Sequence, residues 1–324
     1  MNKIYRWGIL GAGRIAAKFC EALCFVEGSE VYAVASRDME NAKAYAEKYK
    51  ATRFYSTYEE LMNDQEVDII YIATPHPFHF EQTMNCLRHN KPVLCEKPMS
   101  LSYSDTAEMI AFAEEKKLFL MEGMWTSCMP FINKIQSLIK DGAIGKVQYL
   151  SADFCFNAPV DINGRLYNKS LGGGSLLDVG IYPVFLATLL FGEPSAIKSV
   201  TKKTVTDVDE YASVILQYPN GATAHLLSGI TFNSPIEAEI IGTDGSIKIK
   251  NPWFKATEFS LRRNDGTEEN ISIPHLSNGF EHEINEVMNC LNNNFLESTK
   301  MPHRLSLRIS KILDELLMQA DVGY

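Results

Sequence analysis

The chain contains no long apolar run. Within its 324 residues there is no uninterrupted apolar stretch of about 18, the length that a membrane-spanning helix requires. Residues 1–11 also lack the basic, apolar and small-residue order of a secretory signal peptide. These absences argue against a membrane-embedded class and predict a cytoplasmic protein without a membrane partner.

Cysteine is sparse and follows no ligand pattern. The seven cysteines are scattered, and none of them form a C-x-x-C pair, which argues against a zinc site or a disulfide framework. His76 and His79 lie three residues apart, but no third ligand accompanies them at a suitable spacing. The sequence therefore predicts free thiols and no bound metal.

Positive charge is also in short supply. The chain has 31 Lys and Arg against 40 Asp and Glu, which gives a formal net charge of −9. A sequence-independent nucleic-acid binder needs a basic face that neutralises phosphates, so no nucleic-acid partner is predicted. The hydrophobic content of 46% is sufficient for packed cores, and the length suggests about two domains.

The first 122 residues alternate between two patterns. Continuous apolar runs typical of buried strands are separated by amphipathic segments with helical spacing, which predicts a doubly wound parallel sheet covered on both faces. The predicted strands are residues 4–10, 31–35, 67–73, 92–95 and 118–121, and the predicted helices are residues 15–26, 41–49, 79–90 and 102–117.

The pattern changes after Trp125. Alternating strands separated by turn signals follow two helices, which predicts an α+β domain over residues 123–324 with a large, mostly antiparallel sheet. The predicted helices are residues 130–140, 175–190, 281–292 and 305–319, and the predicted strands are residues 147–156, 197–204, 211–218, 223–230, 236–241, 246–250, 258–263 and 270–273. The helix at 305–319 can pack on either domain.

A glycine-rich motif follows the first predicted strand. The segment GAGRIA (residues 11–16) reads G-x-G-x-x-A and opens a helix. In a dinucleotide-binding turn the first glycine permits the tight turn, the second lets the backbone approach a pyrophosphate, and a small third residue lets the helix pack on the strand. This context predicts a Rossmann domain over residues 1–122, with Gly11, Gly13, Arg14 and Ile15 at the cofactor. A glycine turn without a ligand is the alternative.

The second predicted strand ends in Ser36-Arg37. An NAD-specific enzyme usually has Asp or Glu at this point to bind the ribose 2′-hydroxyl. Here Ser36 holds that position, and the guanidinium of Arg37 can bind a 2′-phosphate through two charge-assisted hydrogen bonds. The pair predicts NADP as the cofactor. Because Asp38 follows, a surface ion pair with Arg37 is the alternative.

Polar residues follow the later strands of the predicted parallel sheet. Ligands of doubly wound folds bind beyond the carboxyl ends of the strands, so residues there are candidates for cofactor binding. A lysine at this edge, Lys97, can bond the nicotinamide ribose and the reacting oxygen, with a solvated lysine as the alternative. Helix capping is the alternative for the histidines. These candidates are Thr74, Pro75, His76, His79, Glu96 and Lys97.

The second predicted domain contains the segment GGGSLLDVGIY (residues 172–182). Its glycines allow close approach of the backbone, and Asp178 and Tyr182 lie four apart, on one face of a helix. Alternatively, Ser175-x-x-Asp178 is a helix-capping arrangement and Tyr182 is a core tyrosine. Four aromatic residues are candidates for the wall of a substrate pocket, although each is individually more often a core residue: Trp125, Phe154, Trp253 and Phe280.

Four ordered motifs, GAGRIA, Ser36-Arg37, Glu96-Lys97-Pro98 and GGGSLLDVGIY, together resemble those of the glucose–fructose oxidoreductase/inositol dehydrogenase (Gfo/Idh/MocA) family over nearly the whole chain. The resemblance implies NADP-linked oxidation of a hydroxyl, or the reverse carbonyl reduction. It also implies that Lys97 and Tyr182 are the catalytic pair, that Asp178 lies in the substrate site, and that the open face of the C-terminal sheet forms a homodimer.

The sequence departs from the wider family at two positions, which bears on the type of acid–base residue. Many members carry D-x-G-x-H with an acidic residue three positions later, whereas Tyr182 and Phe185 occupy those two positions here. This favours acid–base chemistry by tyrosine over chemistry by histidine. The leading hypothesis is an NADP-dependent aldose 1-dehydrogenase acting on a small sugar or polyol. The alternatives are a trans-dihydrodiol dehydrogenase, a keto- or anhydro-sugar reductase, and a non-catalytic regulator that senses NADP.

Overall fold

The computed structural model describes residues 3–324 and divides the chain into two compact units. The first unit comprises residues 3–100, 104–128 and 275–306, and the second comprises residues 101–103, 129–274 and 307–324. The sequence pattern predicts two contiguous segments that meet at residue 122. The units differ from those segments because residues 275–306 return to the first unit, where α8 (Phe280–Asn292) packs on α1 (Arg14–Leu23).

The first unit contains a six-stranded parallel sheet with the strand order β3-β2-β1-β4-β5-β6. Its strands are β1 (Tyr5–Leu10), β2 (Ser29–Ala35), β3 (Arg53–Tyr55), β4 (Ile69–Ile72), β5 (Val93–Glu96) and β6 (Leu120–Gly123). Its other helices are α2 (Met39–Tyr49), α3 (Tyr58–Asn63), α4 (His79–Arg88) and α5 (Tyr103–Lys116). In the register, Leu10 lies beside Ala35 and Ile72, so the strands end at one common edge. This order is that of a Rossmann fold, and the predicted fold class is confirmed for this part.

The elements β3 and α3 were not predicted from the sequence. The strand β3 has only three residues and lies at the edge of the sheet, largely exposed, so it lacks an apolar pattern. The helix α3 does carry a signal, because Thr57 and Glu60 form a reciprocal capping box at its start.

The second unit contains an eight-stranded sheet with the order β14-β13-β12-β11-β7-β10-β9-β8. Its strands are β7 (Val147–Cys155), β8 (Ala196–Lys203), β9 (Asp209–Gln217), β10 (Thr223–Gly229), β11 (Ala238–Gly242), β12 (Gly245–Ile249), β13 (Glu258–Arg263) and β14 (Glu268–Ser272). All neighbours are antiparallel except β7 and β10. The predicted mostly antiparallel sheet is therefore confirmed.

Three helices accompany this sheet. They are α6 (Pro130–Lys140), α7 (Ile181–Phe191) and α9 (His303–Gln319). A π-helical turn, Leu176–Gly180, leads directly into α7, and both pack on β10. The sequence left the position of the last helix open. In the structure α9 begins in the first unit and continues into the second after Ser306.

The segment Lys169–Phe191 has the length and apolar composition of a membrane-spanning helix. Its most apolar 18-residue window is 78% buried inside the protein. Burial of that extent is typical of a core helix that packs on its own sheet, and α7 does so through both β7 and β10.

Candidate functional site

The glycine-rich turn after β1 lies against the chain that follows β4. Gly11 has a φ of +99°, and a Cβ there would lie 2.9 Å from Cγ2 of Thr74 and 3.2 Å from the carbonyl oxygen of Ala73. Gly13 is the exposed residue before α1, and within residues 3–324 no side chain caps the start of this helix. The first N–H groups of α1 are thus available to an anion, and the turn fits the pyrophosphate of a dinucleotide. Arg14 is exposed and Ile15 is half-buried at the same helix start.

Two side chains of α2 hold the glycine turn in place. Asn41 donates its amide to the carbonyl of Ala12 at 3.1 Å, and the Tyr45 hydroxyl donates to the carbonyl of Gly13. Neither residue was predicted from the sequence. Their signal was weak, because polar residues on the first turns of a surface helix are common.

Arg37 lies beyond the carboxyl end of β2 beside an aromatic side chain. Its guanidinium lies 5.7 Å from the ring centre of Phe78, and its charge acts on the phenol of Tyr58. Burial raises the pKa of Tyr58, and the charge of Arg37 acts in the opposite direction. Tyr58 belongs to α3 and was not predicted from the sequence.

Asp38 bonds to the backbone at the start of α2, whereas the alternative interpretation required an ion pair with Arg37. Its carboxylate accepts hydrogen bonds from the backbone N–H groups of Glu40 at 3.0 Å and Asn41 at 3.4 Å, so it caps α2. Among residues 3–324 no Arg37–Asp38 ion pair is formed. Ser36 is buried, and its hydroxyl accepts a bond from the Asp38 backbone N–H at 3.3 Å.

His79 is fully buried between two carbonyl groups. Its Nδ1 lies 2.8 Å from the carbonyl oxygen of Pro98, and its Nε2 lies 2.8 Å from that of Thr74. Burial is the largest influence on the His79 pKa and lowers it. His79 thus links the segments after β4 and β5, and its assignment to cofactor binding stays a prediction. His76 is also buried, in the short turn after Pro75.

Glu96 is likewise an internal residue. Its carboxylate accepts hydrogen bonds from the Tyr71 hydroxyl at 2.5 Å and from the Lys97 backbone N–H at 3.2 Å. Burial raises its pKa, and the bonds from Tyr71 and Lys97 oppose that rise. Glu96 thus holds the backbone at Lys97, and its assignment to cofactor contact stays a prediction. Lys97 itself follows β5 and is half-buried.

Three of the four candidate pocket aromatics pack mainly inside their own unit. In the first unit the rings of Trp125 and Phe280 stack at 4.4 Å, and Phe280, which is 1% exposed, also contacts Phe19. In the second unit Trp253 is fully buried and donates its Nε1 proton to the carbonyl of Asp153 at 2.9 Å. These contacts give Phe280 and Trp253 a packing role. Trp125 keeps a small exposed fraction.

Tyr182 lies at the start of α7 beside an aromatic pair. The rings of Phe154 and Phe254 stack at 4.4 Å, and their centres lie 5.5 Å and 5.2 Å from that of Tyr182. Phe254 comes from the short turn Trp253–Lys255 and was missed by the sequence analysis. The phenol of Tyr182 thus has an aromatic wall next to it, and the residue is 7% exposed.

Asp178 lies on the π-helical turn before α7 and has a cationic partner. Its carboxylate accepts a hydrogen bond from Nη1 of Arg165 at 2.8 Å, with the Arg165 side chain 40% exposed. Ser175 does not cap this turn, so the predicted capping arrangement with Asp178 is not formed. The turn is also wider than the regular helix that the four-residue spacing predicted. Arg165 was missed, because its loop carries no motif.

A cluster of possible metal ligands lies at the start of α8. The ligand atoms of His275, Glu281 and His282 lie within 4.8 Å of one another. The Glu281 carboxylate, however, accepts three backbone N–H groups of residues 276, 277 and 279, and Nδ1 of His275 lies 3.2 Å from Nε2 of His282. We assign Glu281 to helix capping.

The parallel sheet, the strand order and the anion-ready glycine turn define a dinucleotide-binding α/β protein with a second sheet-containing unit. A family model described as an oxidoreductase family with an NAD-binding Rossmann fold matches residues 5–124, and the Gfo/Idh/MocA C-terminal domain matches residues 132–248. The chain belongs to the Gfo/Idh/MocA family of oxidoreductases, which confirms the resemblance found in its motifs.

Relatives with names agree with this assignment. The chain is 35% identical to a trans-1,2-dihydrobenzene-1,2-diol dehydrogenase of Xenopus tropicalis, over 98% of this chain and 99% of that protein. An aldose-aldose oxidoreductase of Caulobacter crescentus, solved with glycerol, superposes with a TM-score of 0.89 at 26% identity, covering 99% and 98% of the two chains. A 3-ketoreductase of Actinomadura kijaniata, solved with NADP and TDP-benzene, gives 0.87 at 26%, covering 98% of each. The chain is an oxidoreductase of the dehydrogenase type.

Proposed function

We propose that this enzyme uses NADP to oxidise a ring hydroxyl that has a neighbouring hydroxyl, or to reduce the corresponding carbonyl, with an aldose oxidised at C1 as the first candidate. The observation that carries the proposal is the surroundings of Tyr182. A phenol, the Asp178 carboxylate one turn earlier and the stacked Phe154–Phe254 pair occur together in the second unit. Sugar rings offer hydroxyls to carboxylates and C–H faces to aromatic rings.

The cofactor residues are proposed from the geometry of the first unit. The backbone at Gly11 and Gly13 and the start of α1 at Arg14 and Ile15 would hold the pyrophosphate. Arg37, with Ser36 and Tyr58 beside it, would bind the 2′-phosphate of the adenosine ribose. Thr74, Pro75 and His76 would line the path toward the nicotinamide, and Lys97 would bond its ribose. When bound, the nicotinamide accepts or donates the hydride.

The remaining chemistry is assigned to side chains. Oxidation of an alcohol requires a base for the hydroxyl proton, and we assign that role to the oxygen of Tyr182. The ammonium group of Lys97 would favour the phenolate form. Asp178 would orient a substrate hydroxyl and would not take its proton. The Asp178 carboxylate is already bonded to Arg165, and the negative charge in this step must form on the oxygen of Tyr182. Trp125 and Phe154 would contact the substrate ring.

A second candidate substrate is a trans-dihydrodiol. It is favoured by the apolar character of the Phe154–Phe254 wall and by the name of the Xenopus tropicalis relative. A cyclohexadiene diol has two neighbouring hydroxyls but fewer polar groups than an aldose. An apolar wall therefore suits its ring at least as well.

The test is formation of NADPH with the purified enzyme on a substrate panel. The panel contains aldoses such as glucose and xylose, a cyclic polyol such as myo-inositol, and a trans-dihydrodiol of benzene. Higher kcat/KM on an aldose supports the first candidate, and higher kcat/KM on the dihydrodiol supports the second. Tight NADP binding without turnover on any member, in either direction, would reject the proposal and favour a regulator that senses the cofactor.

The first prediction concerns the choice of cofactor. Replacing Arg37→Ala should lower the preference for NADP over NAD by about 10- to 150-fold, or about 1.5–3 kcal/mol, because one bidentate charge-assisted contact is lost. The measurement is kcat/KM with each cofactor. Arg88→Ala is a matched control, since Arg88 also lies over an aromatic ring, that of Phe112 at 5.9 Å. An unchanged preference in Arg37→Ala would overturn the assignment.

A homodimer through the open face of the eight-stranded sheet is also proposed. The face opposite α7 exposes large apolar side chains, including Val200 at 68% and Ile215 at 44% exposure. Val200 pairs with Ser213, two residues before Ile215, so the two side chains share this face. An apolar sheet face needs a cover, and a two-fold partner provides one with the same surface.

This proposal predicts a dimer in light scattering at micromolar concentration. Ile215→Lys should shift the mass toward the monomer, because it introduces a charge into a buried interface. Val205→Lys is the matched control, since Val205 is 91% exposed in the connection between β8 and β9, outside the strands. A native monomer, or a dimer unaffected by Ile215→Lys, would contradict the proposed interface.

The cysteines support a cytoplasmic location. Among residues 3–324 all seven cysteines are free, and Cys24 is exposed while the other six are buried. We propose the cytoplasm, where thiols remain reduced.

A further inference from the structure

A buried polar chain lies beneath the π-helical turn Leu176–Gly180. The Asp209 carboxylate, at the start of β9, is fully buried. Its Oδ2 accepts the hydroxyl proton of Ser175 at 2.6 Å and the backbone N–H of Leu176 at 2.7 Å. The hydroxyl oxygens of Ser175 and Ser228, the latter on β10, lie 2.9 Å apart.

These hydrogen-bonded side chains contact both ends of the π-helical turn. Asp209 holds its first residue through the Leu176 N–H. Ser228 lies against its last, because a Cβ on Gly180 would be 3.0 Å from the Ser228 hydroxyl oxygen. A carboxylate that caps a helix start binds free N–H groups and complements the positive end of the helix dipole. The turn carries Asp178 and continues directly into Tyr182.

Asp209 is poorly compensated for a buried carboxylate. Within residues 3–324 its Oδ1 has no hydrogen-bond partner, and a Cβ on Gly174 would lie 2.2 Å from it. Burial raises the Asp209 pKa to about 6, and the bonds from Ser175 and Leu176 oppose the rise. Buried titratable groups with a shifted pKa are typical of functional sites.

We propose that Asp209, through Ser175 and Ser228, is a positioning residue that fixes the π-helical turn and thereby the placement of Asp178 and Tyr182. The inference rests on the proposed function, because Tyr182 is the base assigned there. Asp209 does not touch the substrate. It acts on the reaction only through the backbone and the hydroxyl that it holds.

Titratable groups on three neighbouring elements bear on this test. The Tyr324 phenol faces it from the C-terminal segment: burial raises the Tyr324 pKa most, and the Asp209 charge raises it further. On the turn itself, Asp178 is paired with Arg165. On β10 the neighbouring titratable group, His225, is exposed. A change in kcat near pH 6 can therefore be assigned to protonation of Asp209 by replacing Asp209 alone.

The experiment compares Asp209→Asn and Asp209→Ala with the native enzyme over pH 5 to 8. The asparagine oxygen still accepts both bonds, but without charge, so it imitates protonated Asp209. We expect kcat about 5- to 10-fold lower than native at pH 8 and equal to native at pH 5. Asp209→Ala loses both bonds and should lower kcat about 10- to 100-fold at pH 8. The affinity for NADP should stay within about twofold, since the change lies in the second unit.

Hydrogen exchange of the peptide covering residues 174–182 supplies a readout that needs no turnover. We expect faster exchange at the Leu176 amide in Asp209→Ala and an intermediate rate in Asp209→Asn. Asp265→Asn, in the exposed hairpin between β13 and β14, is the matched control and should change neither measurement. Native kcat and native exchange in Asp209→Asn at pH 8 would overturn the inference.

The two possible failures are distinguishable. If the native enzyme turns over no member of the substrate panel, the proposed function fails, while the exchange measurement still decides whether Asp209 holds the turn. If turnover is present, a double-mutant cycle of Asp209→Asn and Ser175→Ala tests whether these two side chains act together. Effects on kcat smaller than additive support it, and strictly additive effects contradict it.

Discussion

Replacing Tyr182→Phe should lower turnover by about 10²- to 10⁴-fold, the contribution typical of a positioned general base. The change removes one hydroxyl and keeps the ring, which packs against Phe154 and Phe254 at 5.5 Å and 5.2 Å. The aromatic wall should therefore stay in place, and kcat should fall far more than KM changes. Binding of NADP, for which we propose residues of the first unit, should be nearly native. The measurements are steady-state kinetics and a fluorescence titration with NADPH.

A matched control for this variant is Tyr218→Phe. Tyr218 is buried in the same unit against Phe191, and its hydroxyl has no hydrogen-bond partner among residues 3–324. Loss of that hydroxyl should leave turnover and stability near native. Near-native turnover in Tyr182→Phe would remove the tyrosine from the mechanism. His79 would not replace it, because both of its ring nitrogens are engaged with carbonyl groups.

The fold was predictable because strong local patterns agree with it. Buried parallel strands such as β4 and β5 are nearly uninterrupted apolar runs, and the glycine at 11 follows from a close backbone contact at Ala73. The strands of the second sheet alternate in burial, as β9 shows. What the pattern missed, β3, is too short and too exposed to have a period.

The site was predictable only where a motif fixed it. Asp178 and Tyr182 belong to one continuous segment, and Arg37 follows a recognisable strand. Tyr58, Arg165 and Phe254 are brought to the same places by tertiary packing, and nothing in their local sequence indicates this. For the same reason the sequence did not reveal that Glu96 and His79 are internal: their burial depends on partners that the chain supplies far away.

Lys97→Met should be the second large loss, with turnover reduced by about 10²-fold or more. Methionine keeps most of the length and the apolar stem of lysine, so the variant mainly removes the ammonium group. Glu96 holds the backbone at this residue through the Lys97 N–H at 3.2 Å, a contact that the substitution leaves intact. The lower turnover should therefore reflect the missing ammonium group in the reaction itself. The affinity for NADP should fall by less than about tenfold, which corresponds to the loss of one hydrogen bond to the ribose.

The pH profile separates the proposed role of Lys97 from a role in binding alone. A nearby cation favours a phenolate, so its removal makes that form appear only at higher pH. The residual activity of Lys97→Met should therefore rise at more alkaline pH than that of the native enzyme, whereas a pure binding defect would raise KM and leave the profile unchanged. Lys48→Met serves as the control, because the Lys48 side chain is 59% exposed on α2. An unshifted profile with native kcat would exclude Lys97 from the catalytic step and leave it a cofactor contact.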